Sequence, residues 1–379
     1  MLLSGLAVAV LLVAFLAGCR GPAGPQGPAG PAGEVAATYV GSDVCVSCHA
    51  DIAEKFDKSG HAFKLNKVVD GNPPEYPFSE VPNPPEGYTW NDITYVIGGY
   101  GWKARFIDKE GYIITGPDEN ATTQYNLANP IVGKDAGWVG YHPGETKPYT
   151  CGPCHTTGYK PEGNQDGLPG LVGTWAEPGI KCERCHGPGS NHANNPYGVA
   201  MRVDRSSELC GECHSRGAVE SIDAKGGFIK HHEQFEEIFQ SKHQSLSCVT
   251  CHDPHEGVIQ ARKTGAATTR VECQSCHFKE ASFQKSTAMK AMVKCIDCHM
   301  PRLVKSAWGD AAAYTGDIRS HLFAIDPYAT TQFSEDGKTA ISQITLDWAC
   351  KVCHREGGMA TVRTDEELKN MAVDYHQSP

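Results

Sequence analysis

The chain has 379 residues, among them 17 Cys, 17 His, 41 Gly and 24 Pro; it is 40% hydrophobic and carries a formal net charge of −10. The acidic balance argues against a nucleic-acid binder. A chain this long would ordinarily bury two apolar cores, but so many cysteines point to a structure built around something other than aliphatic side chains.

Residues 2–18 are almost wholly apolar and end in Leu16-Ala17-Gly18-Cys19. This resembles a lipoprotein signal peptide over 1–18, cleaved before a Cys19 that is then lipidated. The other reading is an uncleaved anchor helix, for which the apolar run is marginal in length; either way the chain is exported. Gly recurs at 21, 24, 27, 30 and 33 with Pro and Ala between, a collagen-like pattern that favours polyproline II. Residues 19–38 then form a stiff lipid-anchored spacer, or a trimerising segment.

From residue 39 to 379 the chain carries eight C-x-x-C-H motifs. Their cysteines are Cys45 and Cys48, Cys151 and Cys154, Cys182 and Cys185, Cys210 and Cys213, Cys248 and Cys251, Cys273 and Cys276, Cys295 and Cys298, and Cys350 and Cys353. Each second Cys is followed at once by a histidine: His49, His155, His186, His214, His252, His277, His299 and His354. Two thiols at this spacing add to the two vinyl groups on one edge of a porphyrin, and the next imidazole reaches the iron from one face. Zinc knuckles and disulfides need no His after every second Cys. The expectation is eight covalently bound haem c groups with those histidines as proximal ligands.

After the first motif, Ile52 and Phe56 lie four apart on a helix that Gly60 can end, which leaves His61 as a ligand candidate. Residues 88–116, within an insertion of about 86–140, form the one β-rich portion, with Asp108-Lys109-Glu110-Gly111 as a turn. From Tyr149 onward short helices and loops are expected between motifs. Gly187-Pro188-Gly189 cannot be helical, so His192 is aimed away from its own motif. Phe235, Ile238 and Phe239 sit at helical spacing between His231-His232 and His243. His243 and His255 flank the Cys248–His252 motif too closely to reach the far face of its haem, so they serve neighbouring ones. His321 precedes an apolar run, and Thr364 with Glu367 forms a capping box before a last helix that leaves His376 on the tail.

Without the proximal residues nine histidines remain: His61, His142, His192, His231, His232, His243, His255, His321 and His376. All eight irons can therefore be bis-His, a low-potential ligand set that conducts electrons and binds no substrate; a catalytic haem needs an open sixth position.

YVGSDVCVSCH with SGHA, YTCGPCHTTGY, GIKCERCHGPGSNH, SKHQSLSCVTCHDPH and CIDCHMPR with DIRSHLF resemble the superfamily of nitrification tetrahaem cytochromes, octahaem hydroxylamine oxidoreductases and octahaem tetrathionate reductases. The resemblance implies distal ligation by His61, His243, His255 and His321. It implies a mainly α and irregular multihaem cytochrome c fold organised around stacked haems. The leading expectation is an electron carrier of the cell envelope, at the outer membrane, cell surface or periplasm. It would be held to the membrane through Cys19 and would serve other envelope redox proteins or extracellular acceptors, alone or in a polymeric assembly joined by a residue such as His142 or His376. The alternative is an oxidoreductase for a small nitrogen or sulfur compound, such as nitrite, hydroxylamine or tetrathionate, at one open haem.

Overall fold

The computed structural model describes residues 36–286, 289 and 292–376. The expected signal peptide, Cys19 and nearly all of the expected spacer lie outside them. Thr38–Pro379 is one compact unit, and among the described residues no helix is long and apolar enough to cross a membrane.

The first sheet joins β1 (Leu65–Lys67), β2 (Tyr95–Gly98), β3 (Lys103–Ile107), β4 (Tyr112–Ile113), β5 (Gln124–Asn126), β6 (Gly137–Val139) and β7 (Lys147–Pro148). It therefore spans a longer stretch than the strand-rich sequence around 88–116. β2 and β3 pair antiparallel with Tyr95 opposite Ile107 and Val96 opposite Phe106, and alternation along the strands sends neighbours to opposite faces. Val96, Ala104 and Phe106 close one core with Trp90, Tyr125 and Trp138 against it. Tyr95, Ile97, Ile107 and Ile113 close another with Tyr149, Leu171 and Trp175. Lys103 and Arg105 share the Ile107 side of β3, with Arg105 near Cys151 of the second motif and Lys103 against the Ser306 carbonyl.

Two small ribbons connect the second and third motifs. β8 (Thr156–Thr157) pairs with β11 (Glu177–Pro178), and β9 (Lys160–Asn164) pairs with β10 (Val172–Thr174).

The expectation that only helices and loops follow Tyr149 is corrected by a second large sheet. It contains β12 (Ile222–Lys225), β13 (Phe228–Lys230), β14 (Val304–Asp310), β15 (Thr315–Ile318) and β16 (Thr339–Ala340), in the order β15-β14-β13-β12-β16. β13 and β14 run parallel, with Ile229 opposite Val304. Strands so short, paired across so much sequence, leave no alternation long enough to read. Their core holds Ile222, Phe228, Ile229, Leu303, Val304, Leu322, Ile344 and Trp348, so the stretches carrying the fourth, seventh and eighth motifs pack on one apolar centre.

The helices are short. Ala50–Phe56 follows the first motif, Gln234–Phe239 follows His232, and Asp365–Ala372 opens with the capping box of Thr364 and Glu367. Gly187 sits at φ +79 directly after His186, a left-handed turn open to glycine that redirects the chain toward His192.

Buried carboxylates, invisible as a sequence pattern, tie distant loops together. Glu183, 1% exposed, accepts from the backbone N–H groups of Val40 (3.0 Å), Gly41 (2.9 Å) and Gly189 (2.7 Å). Asp317 accepts from those of Ser306, Ala307 and Trp308 at 2.6–2.8 Å. Glu236 accepts from the Ser215 hydroxyl and from the backbone of Arg216 and Gly217.

Candidate functional site

Each motif closes on itself as a single turn. The backbone N–H of His49, His214, His252 and His277 donates to the carbonyl of the first cysteine of its motif at 2.9 Å, and that of His354 does so at 3.0 Å. One turn of this kind puts the two cysteines, three apart, on one side of the chain.

The imidazoles then pair across the molecule. Ring centres lie 6.4 Å apart for His49 and His192, 6.3 Å for His214 and His61, and 6.2 Å for His186 and His255. They lie 6.2 Å apart for His252 and His321, 5.9 Å for His277 and His243, and 5.8 Å for His299 and His376. His232 also comes within 6.4 Å of His214. Every pair joins one motif histidine to one from outside the motifs. An iron ligated by a nitrogen on each face holds two imidazole centres roughly 6 Å apart, so these residues fit the group that the cysteine spacing implies. Among the described residues no cluster of three or more His, Cys, Asp or Glu side chains forms an all-protein metal cage.

Several rings are also oriented from behind. Nδ1 of His186 bonds the Arg202 carbonyl (2.8 Å), that of His192 the Val199 carbonyl (2.6 Å), and that of His299 the Phe323 carbonyl (2.7 Å). Nδ1 of His354 bonds the Thr361 carbonyl at 2.8 Å, and that of His214 bonds Gln234 at 3.1 Å. Such partners fix the tautomer and leave Nε2 for a metal. Phe323, at φ +61, also sets its ring 4.3 Å from His243 and 6.1 Å from His321.

Two motif histidines have no second imidazole at this spacing. One is His354. The other is His155, whose ring is pushed down to about 3 by burial, with Lys64, Arg105 and Arg216 adding to the shift. The same three cations bear on His231, held at about 2 chiefly by burial, and Lys64 and Arg216 also bear on His232. The two rings are 3.9 Å apart.

The cations are held in place by neutral partners. Arg105 donates to Gln124 at 2.7 Å and lies 3.6 Å over the Tyr141 ring, and Lys103 donates to the Ser306 carbonyl at 2.6 Å. Burial first, then Arg105, draws the Lys103 ammonium down to about 7. Arg105 and His231 also line a cavity of about 690 Å³ whose walls include Lys103, Lys134, Lys225 and Lys305 and no carboxylate. These cations are not among the expected site residues, although the i, i+2 spacing of Lys103 and Arg105 beside Ala104 and Phe106 carries the signal.

His142 lies apart, on the loop between β6 and β7, where its Nδ1 meets the Glu145 carboxylate at 3.0 Å.

Residues 134–187 match the family described as cytochrome c554 and c-prime. The dissimilatory sulfite reductase MccA of Wolinella succinogenes is 24% identical over 48% of this chain and 27% of its own length. The multihaem cytochrome MtrA of Shewanella baltica is 26% identical over 40% of this chain and 45% of its own length. The matched parts thus span less than half of either relative. The chain is a multihaem c-type cytochrome. Its haem c is covalently bound. The cytochrome shares its fold with the solved octahaem sulfite reductase MccA of Wolinella succinogenes (TM-score 0.60, 17% identity, 89% of this chain and 71% of that one). The outer cell wall cytochrome OcwA aligns with a TM-score of 0.54 at 20% identity, over 89% of this cytochrome and 86% of its own chain.

Proposed function

We propose that the cytochrome is an envelope electron-transfer protein that reduces a small nitrogen or sulfur oxyanion beside His155. The observation that carries this reading is the contrast among the motif histidines: six face a second imidazole, whereas Lys64, Arg105 and Arg216 bear on His155, and Arg105 also lines a cationic cavity. The sixteen motif cysteines would attach eight haem c groups, with the six pairs as axial ligands. Bound haem c supplies one-electron transfer between neighbouring groups and, where one face lacks an imidazole, a position for an incoming ligand.

The thiols, standing in for the thioether sulfurs, support an order for this relay. Cys45 lies beside Cys182, Cys185 near Cys210, Cys210 beside Cys248, Cys251 near Cys276, Cys273 beside Cys295, and Cys298 near Cys350. Cys154 lies beside Cys213. Motifs one, three, four, five, six, seven and eight then follow as a line, and the second motif branches from the fourth.

The protein's own groups do the rest. Lys103, Lys134, Lys225 and Lys305 draw an anion into the cavity, where a low-dielectric wall focuses their field. Arg105 orients it, and the neutral His231 ring lines the same cavity. A cationic pocket favours nitrite- or sulfite-like ions over neutral hydroxylamine. Export and a lipid anchor at Cys19 fit covalent haem attachment outside the cytoplasm.

Ferric EPR tests the reading: a high-spin signal that shifts on adding nitrite or sulfite is expected, and an anion-insensitive, wholly low-spin spectrum would overturn it. His255→Ala is expected to turn the haem held by Cys182 and Cys185 high-spin while the one held by Cys248 and Cys251 keeps its spectrum. Resonance Raman spin-state markers check this.

A further inference from the structure

Besides His155, His231 and His232, two imidazoles stand outside the six pairs: His354, in the last motif, and His142. His354 presents Nε2 in the way the paired residues do, because its Nδ1 is held by the Thr361 carbonyl as that of His186 is by Arg202 and that of His299 by Phe323. Among the described residues no second imidazole packs against its ring. The loop after it folds back onto the motif, Ala360 N–H donating to the Cys353 carbonyl at 3.1 Å, and Met359 on that loop is exposed to solvent.

His142 has the complementary properties. Its Nδ1 is anchored by Glu145, the carboxylate–imidazole arrangement found behind metal-binding histidines, and Nε2 is left outward on a 40% exposed side chain. Its backbone is at φ +47, a left-handed conformation that a residue with a Cβ rarely adopts. The loop is pinned in that state from both sides: Gly144 N–H donates to Gly116, and the Thr115 hydroxyl donates to the Glu145 carbonyl. The rings of His231 and His232 lie 3.9 Å apart, and His232 also lies 6.4 Å from His214.

We infer that the eighth haem site of one chain, held by Cys350, Cys353 and His354, is completed by His142 Nε2 from a second copy. The donor loop belongs to the first sheet, and the acceptor follows the Leu346–Ala349 helix packed on the second. The contact is therefore heterologous, and repetition of it gives an open head-to-tail assembly or a ring. The coordinate bond uses the imidazole lone pair and involves no change of oxidation state. It joins the last site of one relay to the next molecule.

The test follows full-length ferric protein through a dilution series, with light scattering for mass and EPR or magnetic circular dichroism for spin state. Wild type is expected to gain one high-spin haem as it falls to monomer. His142→Ala is expected to be monomeric throughout with that same extra high-spin haem, and added imidazole should restore the low-spin signal without restoring mass. Glu145→Ala, which leaves the ligand but loosens it, should dissociate at higher concentration than wild type. The readout is the increment of one haem, so an open or closed site at His155 moves the total and not the change. The inference is overturned if His142→Ala assembles as wild type does, or if assembly is lost with no change of spin state.

Discussion

Replacing Arg105 by alanine is expected to lower kcat/KM for a small oxyanion by about 100- to 1,000-fold, the usual cost of removing one preorganised donor to a developing negative charge. The guanidinium is held before any substrate arrives, by Gln124 at 2.7 Å and by the face of Tyr141, so its binding requires little reorganisation. Arg105→Lys keeps the charge and loses the planar fork, and should recover only part of the rate. Both variants should retain the wild-type low-spin spectrum, because neither touches a paired imidazole. Steady-state kinetics with a reduced viologen donor, together with EPR, would measure both effects. Loss of activity accompanied by loss of low-spin signal would mean that Arg105 is structural. Because Lys103, Lys134, Lys225 and Lys305 surround the same cavity without a carboxylate, kcat/KM should also fall as ionic strength rises.

Glu183→Ala should be the most damaging substitution outside the ligand sets. Its carboxylate is buried and satisfies backbone donors at Val40, Gly41 and Gly189. Each buried donor left without an acceptor costs about 1–3 kcal/mol, a large part of a domain's net stability. Those donors flank the first motif and the turn leading to His192, so the damage should concentrate on the His49–His192 pair. A fall in Tm of several degrees, with spectral change confined to the haem held by Cys45 and Cys48, is the expected result; Glu183→Gln should lie between. An unchanged Tm would show that those amides find other partners. Asp317→Ala, which frees the N–H groups of Ser306, Ala307 and Trp308 at the cavity wall, is expected to raise KM for the anion more than it lowers kcat.

The parts of this cytochrome legible in sequence are those whose chemistry fixes spacing. C-x-x-C-H forces one helical turn, and Gly187-Pro188-Gly189 forces a bend, so the positions of Cys182, Cys185, His186 and the direction of His192 follow from a few residues. His243 and His255 lie too close to Cys248–His252 to reach the far face of that site, and they face His277 and His186 instead. What sequence could not show depends on contacts between distant segments. β13 and β14 pair across more than seventy residues, and neither Phe228–Lys230 nor its partner announces a strand. The cations around His155 come from residues 64, 105 and 216, and no local pattern links them. The nine histidines outside the motifs suffice for eight pairs; only their placement shows the rings of His231 and His232 against each other and His155 without a second imidazole.

Phe323 bears on how such a relay can be tuned. Its carbonyl orients His299, and its ring rests on His243 and lies near His321; His299 belongs to the seventh motif, and His243 and His321 pair with the sixth and fifth. Its left-handed backbone persists only because the surroundings over-determine it. The fifth, sixth and seventh sites are therefore mechanically one: a change that tilts one imidazole tilts the others, and their potentials shift as a group. Selection acting on this stretch would see a single composite trait, with double substitutions departing strongly from additivity, while the sites at either end remain free to drift.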